Sequence, residues 1–163
     1  MIRKPRVRDV PGIKELIDGA AGRGALLQRT ALELYETVRD FYIYEDADGV
    51  AGCCALHVDM GDLAEIRSLV VRTDLRGRHI GRDLVQACLD EAGALGIVRI
   101  YALTRVAGFF AKMGFHEIDK HELPSKVFRD CVRCPHFPDC DEVAVVRDLE
   151  VAGGPSPAGI EKE

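Results

Sequence analysis

The chain has 163 residues and no tryptophan, and aromatic residues make up only 6% of it. That scarcity excludes nothing by itself; other absences do. No uninterrupted apolar run is long enough to cross a bilayer, which argues against a spanning helix. Arg3, Lys4 and Arg6 are followed by no apolar stretch of signal-peptide type, so a cytoplasmic protein with no membrane partner is expected. Excess positive charge is missing as well. The net charge of −5 speaks against a nucleic-acid partner, despite local arginines. No Lys-Ser or Lys-Thr pair follows the glycines of the basic turn, so a P-loop is excluded. No G-x-G-x-x-G opens a strand–helix unit, so a Rossmann fingerprint is excluded too.

What is present fits a soluble domain: 47% apolar and 30% charged residues, with enough chain for one proper core. One domain is expected over residues 1–150. The Gly/Pro-rich segment 151–163 is expected to be a frayed or disordered tail. The six cysteines are expected to be mostly reduced.

The chain is organised around residues 63–96. Leu63 to Val71 is rich in β-branched and apolar residues and reads as a strand. A polar turn follows, with Arg76, Gly77, Arg78, His79, Ile80, Gly81 and Arg82 in a row. Leu84, Val85, Cys88, Leu89, Ala92 and Leu95 then recur at helical spacing, and Gly96 is a stop signal. A turn of this kind presents free backbone N–H groups at a helix N-terminus, where the macrodipole favours an anion. With Arg76, Arg78 and Arg82 beside it, the ligand it suits is a pyrophosphate.

Elsewhere, residues 3–9 read as a short strand ending at Asp9, which could cap a helix carrying Pro11 in its first turn. Thr30 with Glu33 forms a capping-box pattern for a second helix, and Arg29 precedes that cap. Residues 41–45 and 50–58 read as a hairpin. Residues 98–103 read as a strand parallel to 63–71, reached by a right-handed crossover. A short helix within 106–115 and a last strand over 141–149 complete the pattern.

The basic turn resembles the R-x-x-G-x-G/A signature of the GNAT superfamily of N-acetyltransferases. Arg76 and Gly81 match it, and His79 stands where the first motif glycine is expected. FFAKMGF at 109–115 resembles that family's next motif, in the family's order and at its spacing. Further pieces resemble the short, kinase-less bacterial N-acetylglutamate synthases: LLQRT at 26–30, DFYIYED at 40–46, AEIRSLVV at 64–71 and LPSKVFRDCVRCPHFPDCDEVAV at 123–145. The resemblance implies an α/β (α+β) fold with a mixed central sheet of about six to seven strands, flanked by helices. Two parallel strands would splay at the acetyl-CoA site. It implies acetyl transfer from acetyl-CoA to the α-amine of an amino acid, glutamate foremost and glutamine also, as the first step of arginine biosynthesis. A homodimer is compatible with it.

The resemblance also suggests roles for residues. Acetyl-CoA would lie along Leu69, Val70 and Val71 by main-chain hydrogen bonds, with its pyrophosphate at residues 76–82 and Phe110 nearby. Many members carry a tyrosine general acid where Phe110 stands. A thiol with a reference pKa of about 8.5 leaves tolerably without one. On an undisturbed strand Leu63, Glu65, Arg67, Leu69 and Val71 share a face. Glu65 is the expected general base, through water; the competing reading is a structural pair with Arg67. Arg29, Arg67 and Lys126 are the expected cations for the substrate's carboxylates. Cys131, Cys134, His136 and Cys140 could ligate zinc, but the cramped spacing favours a packed thiol loop, and no metal is expected. Competing functions are acetylation of another small amine or a protein N-terminus, or a non-catalytic acetyl-CoA-binding regulatory module.

Overall fold

The computed structural model describes residues 1–23, 28–123 and 141–150. Lys126, the cluster Cys131/Cys134/His136/Cys140 and the segment from residue 151 lie outside the described residues. Strands β1 (Ile2–Arg3), β2 (Phe41–Asp46), β3 (Gly49–Met60), β4 (Leu63–Val71), β5 (Arg99–Thr104), β6 (His116–Ile118) and β7 (Val143–Asp148) form one sheet. Its order is β1-β2-β3-β4-β5-β7-β6. Only β4 and β5 run parallel; the other neighbours are antiparallel. The helices are α1 (Val10–Gly22), α2 (Ala31–Glu36), α3 (Ile80–Leu95) and α4 (Ala107–Ala111). This is the expected mixed sheet flanked by helices.

The two faces of the sheet are covered by different helices. Leu84, Val85, Cys88, Leu89 and Ala92 of α3 pack on Ala51, Cys54, Leu56, Ala64 and Ile66. Gly52 lets α3 come close: a β-carbon there would lie 3.2 Å from Leu84 and 3.4 Å from the Val70 carbonyl. On the opposite face Val10, Ile13, Ile17 and Ala20 of α1, with Leu34 of α2, pack on Phe41, Ile43, Cys53 and Ala55. Cys53, Cys54 and Cys88 are buried free thiols, and burial pushes the Cys53 thiol up to about 12. A thiol so far from ionisation packs as a small apolar group.

Most local signals act as read. Thr30 Oγ1 accepts from the Glu33 N–H at 3.1 Å, and the Glu33 carboxylate accepts from the Thr30 N–H at 3.0 Å. The N-terminal strand is the exception: β1 ends at Arg3, and Val7–Asp9 form a 3-10 turn. Pro5 supplies no N–H to continue a ladder. The Arg3 guanidinium also grips Asp9 at 2.9 and 3.1 Å, bending the chain back on itself. Asp9 stands at the N-cap of α1 but makes no side-chain capping bond to it; its Oδ2 instead accepts from the Arg6 N–H at 2.7 Å, capping the 3-10 turn.

Candidate active site

Two features of β4 build the site. The first is the end of its ladder with β5. Pairing holds only at Leu63–Arg99, Ala64–Ile100 and Glu65–Tyr101; beyond this β5 continues alongside β7. From Ile66 onward the strands part, so one edge of β4 is turned toward the gap. Backbone groups on such an edge need partners. They could bind an extended chain by strand addition.

The second feature is a bulge. Ala55 opposes Arg67 and Cys53 opposes Val70, so Cys54 alone faces both Ser68 and Leu69. Ser68 takes φ +56°, a left-handed conformation rare for a residue with a side chain, and its carbonyl accepts from Cys53 Sγ at 3.4 Å. One inserted residue reverses the alternation of side chains. The strand pattern predicts a single face for Leu63, Glu65, Arg67, Leu69 and Val71; the structure divides it. Glu65 and Arg67 share a face with His57, Ala55 and, past the bulge, Val70, on the α1 side. Leu69 and Val71 turn to the α3 side.

Glu65 lies at the fork. His57 opposes it on β3 and Tyr101 on β5. The Tyr101 hydroxyl lies 3.1 Å from Glu65 Oε2 and 2.5 Å from Asp59 Oδ2. Burial raises the Glu65 pKa above the ordinary carboxylate range; the charge of Arg67, the Tyr101 hydrogen bond, Arg29 and His57 pull it back in part. The carboxylate is thus enclosed, yet the residue keeps some solvent exposure. His57 Nδ1 lies 3.2 Å from Asp40 Oδ2, a contact that orients its ring. Arg29 and Arg67, 38 positions apart in sequence, both place their charge on this carboxylate. Arg29 is anchored through its main chain, its carbonyl accepting from Lys14 Nζ at 3.2 Å.

At the other end of β4 the basic turn enters α3. Arg76, Arg78, His79 and Arg82 are exposed, Gly77 takes φ +80°, and Ile80 is buried. His79 stands at the helix N-cap with φ +63°. A positive φ is what a motif glycine would supply; histidine is among the side chains found there more often than most. A hollow of about 260 Å³ opens beside the turn, walled by Val71, Leu75, Ile80, Gly81 and Phe109. A β-carbon at Gly81 would sit 3.7 Å from Val71 and 3.8 Å from Phe109. Phe109 is the ring in this wall. Phe110 packs edge-on between Phe109 and Phe115, centroids 5.1 Å from each, and is buried in the core. The phenylalanine singled out from the sequence is therefore a core residue, one position from the one that lines the hollow.

Sequence reasoning also missed Tyr101, Asp59 and Asp40. The strand RIYALT held a usable signal, because a parallel neighbour of β4 must set one alternate residue beside Glu65. Nothing local marks Asp59 or Asp40. Among the described residues no helix is long and apolar enough to cross a membrane.

Residues 37–117 match the family described as "Acetyltransferase (GNAT) domain". An uncharacterized N-acetyltransferase of Chlorobaculum tepidum is 38% identical over 148 residues, 91% of this chain and 96% of that protein. The amino-acid acetyltransferase of Mycobacterium tuberculosis is 39% identical over 136 residues, 82% of this chain and 78% of that protein. The crystal structure of N-acetylglutamate synthase from Neisseria gonorrhoeae, complexed with coenzyme A and N-acetyl-glutamate, superposes with a TM-score of 0.83 at 29% identity. It covers 92% of this chain and 35% of that longer one. The chain belongs to the GNAT family of acetyl-CoA-dependent N-acetyltransferases, and within it is similar to an amino-acid acetyltransferase and to part of a longer N-acetylglutamate synthase.

Proposed function

We propose that the protein transfers the acetyl group of acetyl-CoA to the α-amine of an amino acid in the cytoplasm, with glutamate as acceptor and arginine biosynthesis as the setting. The observation that carries this reading is that Arg67 shares the β4 face of the enclosed Glu65 carboxylate where β4 and β5 part, with the charges of Arg67 and Arg29 both lowering that carboxyl's pKa. A net-acidic protein has no general need to gather cations there. A dicarboxylic acceptor needs them, and the guanidinium fork suits carboxylates.

In this reading the N–H groups opening α3 and the arginines of the turn hold the donor's pyrophosphate. The gap-facing edge of β4 from Leu69 to Val71 holds the pantetheine arm by main-chain hydrogen bonds, and a backbone N–H there faces the developing oxyanion. Arg29 and Arg67 hold the acceptor's carboxylates. Glu65 removes the proton that an α-ammonium must lose before it can attack, directly or through one water. The thiolate departs without a side-chain acid at Phe110, since a thiol leaves with its electron pair more readily than an alcohol would.

A thiol-release assay with acetyl-CoA and a panel of acceptors tests the reading. Glutamate should be the best acceptor, and glutamate derivatives lacking the α-carboxylate should be poor ones. Fast acetylation of a polyamine or a peptide amine with glutamate inert would overturn the acceptor and leave the family standing.

A further inference from the structure

A general base that takes a proton in each turnover must lose it before the next, and among the described residues the side chains around Glu65 offer an exit through Tyr101. Tyr101 is fully buried, and its hydroxyl lies between two carboxylates, 3.1 Å from Glu65 Oε2 and 2.5 Å from Asp59 Oδ2. A phenol carries one proton and cannot donate to both at once. Both contacts are hydrogen bonds together only when one neighbour donates to the phenol oxygen: either Glu65 is protonated with Tyr101 donating to Asp59, or Asp59 is protonated with Tyr101 donating to Glu65, and these are the two ends of a proton transfer through the phenol. Asp59 lies toward the end of β3, between the exposed Val58 and Met60, and is itself partly exposed.

We propose that Glu65, Tyr101 and Asp59 form a proton relay that carries the acceptor's proton from the enclosed base to the rim of the fold. The inference rests on Glu65 acting as the base. In the forward step the ammonium's N–H bond breaks and the proton joins a Glu65 oxygen. In the exit step the Glu65 O–H bond breaks and a new O–H bond forms on the Tyr101 oxygen. The original Tyr101 proton moves at the same time to Asp59 Oδ2. The phenol ends as it began, Glu65 is again a carboxylate, and Asp59 gives its proton to water. No electrons change hands.

The exchange must be concerted. Burial, and the carboxylates of Glu65 and Asp59, strongly oppose a free phenolate at Tyr101. The other groups facing Glu65 are Arg67 from β4, Arg29 ahead of α2 and His57 from β3, with Asp40 behind the imidazole. The two arginines are permanent cations that stabilise the carboxylate and take no proton from it. His57 already faces Asp40 with Nδ1. Tyr101 and Asp59 act through Glu65 and are positioning residues by role, so the test needs a readout that packing alone would not move.

The decisive variant is Asp59→Asn. If Tyr101 merely orients Glu65, removing the competing carboxylate frees the phenol to donate to Glu65, and kcat holds or rises. If the three groups form a relay, kcat falls about tenfold while the KM for acetyl-CoA stays put. Raising the concentration of a small proton-carrying buffer, such as imidazole, at constant pH should restore the rate. Tyr101→Phe should show the same fall and the same rescue, and the double variant should be no slower than either single one. Unchanged kcat in Asp59→Asn, or a deficit that buffer does not repair, would overturn the relay. Glu65→Gln separates the two readings: full activity there defeats the base itself, whereas a slow Glu65→Gln beside a normal Asp59→Asn defeats the relay alone.

Discussion

The middle and the C-terminal end of β4 solve different problems with different materials. Its C-terminal end runs into a turn that opens α3, where backbone N–H groups of consecutive residues lie among exposed arginines. Its middle is a meeting of side chains from β3, β4, β5 and the segment ahead of α2, gathered around one enclosed carboxylate. A backbone site depends on chain geometry and tolerates an unusual side chain, as His79 in a glycine-like conformation illustrates. A side-chain site depends on charge and distance, which burial makes costly to alter. Changes at the middle should therefore strike turnover hard, and changes at the turn should act mildly and on the donor.

The sharpest test is Glu65→Gln. Turnover should fall by about 10²–10⁴ with acetyl-CoA affinity unchanged, and the deficit should shrink at high pH, where free amine is abundant. The wild-type pH profile carries the same information. Glu65 must be ionised to act, and its pKa is raised by burial, so activity should fall on acidification at a pH above the ordinary glutamate value of about 4.3. Stability runs the other way. A carboxyl with a raised folded pKa favours the fold below its unfolded value, and that contribution is lost as pH rises through the folded one. Across that window activity should rise while this group's stabilisation declines. Rate profiles and denaturant midpoints at matched pH would show it, and a pH-independent deficit would make Glu65 a structural partner of Arg67.

Next in size are Arg29→Ala and Arg67→Ala. Each should weaken glutamate binding by about 2–5 kcal/mol, read as a raised KM for glutamate with the acetyl-CoA KM little changed. Loss of donor affinity instead would dissolve the contrast between the middle of the strand and its C-terminal turn.

Ser68→Val tests the joint between them. A β-branched residue forced to φ +56° should destabilise the fold by about 1–3 kcal/mol in denaturant titration. Ser68→Gly should keep the bulge and most of the activity. The mildest expected change is His79→Gly. It removes the strain of a side chain at φ +63°, about 1 kcal/mol, and should hold or tighten acetyl-CoA binding by isothermal titration. Loss of binding would make the imidazole a direct ligand and the turn a side-chain site after all.

Much of this molecule was legible from the chain. The capping box at Thr30 and Glu33, the hairpin of β2 and β3, and the α3 stripe from Leu84 to Ala92 all act as their local patterns require. Strand β4 was legible in extent but not in facing, because Ser68 carries no residue-type signal for a left-handed conformation and one inserted residue reverses every side chain beyond it. The exchange of Phe110 for Phe109 has a similar origin. Two adjacent phenylalanines on a five-residue helix are equivalent in pattern, and packing against Phe115 decides which is core.

By itself the sequence determined what depends on neighbours along the chain: helix caps and stripes, strand extents, and the basic turn where Arg76 to Arg82 lead into a helix N-terminus. These follow from backbone sterics and from hydrogen bonds between residues a few positions apart. Tertiary structure alone decided that β4 and β5 part after Glu65, that Arg29 and Arg67 act on one carboxylate, and that Tyr101 stands between Glu65 and Asp59. Those relations join residues dozens of positions apart, and they are fixed by strand register and burial, which no short window of sequence contains.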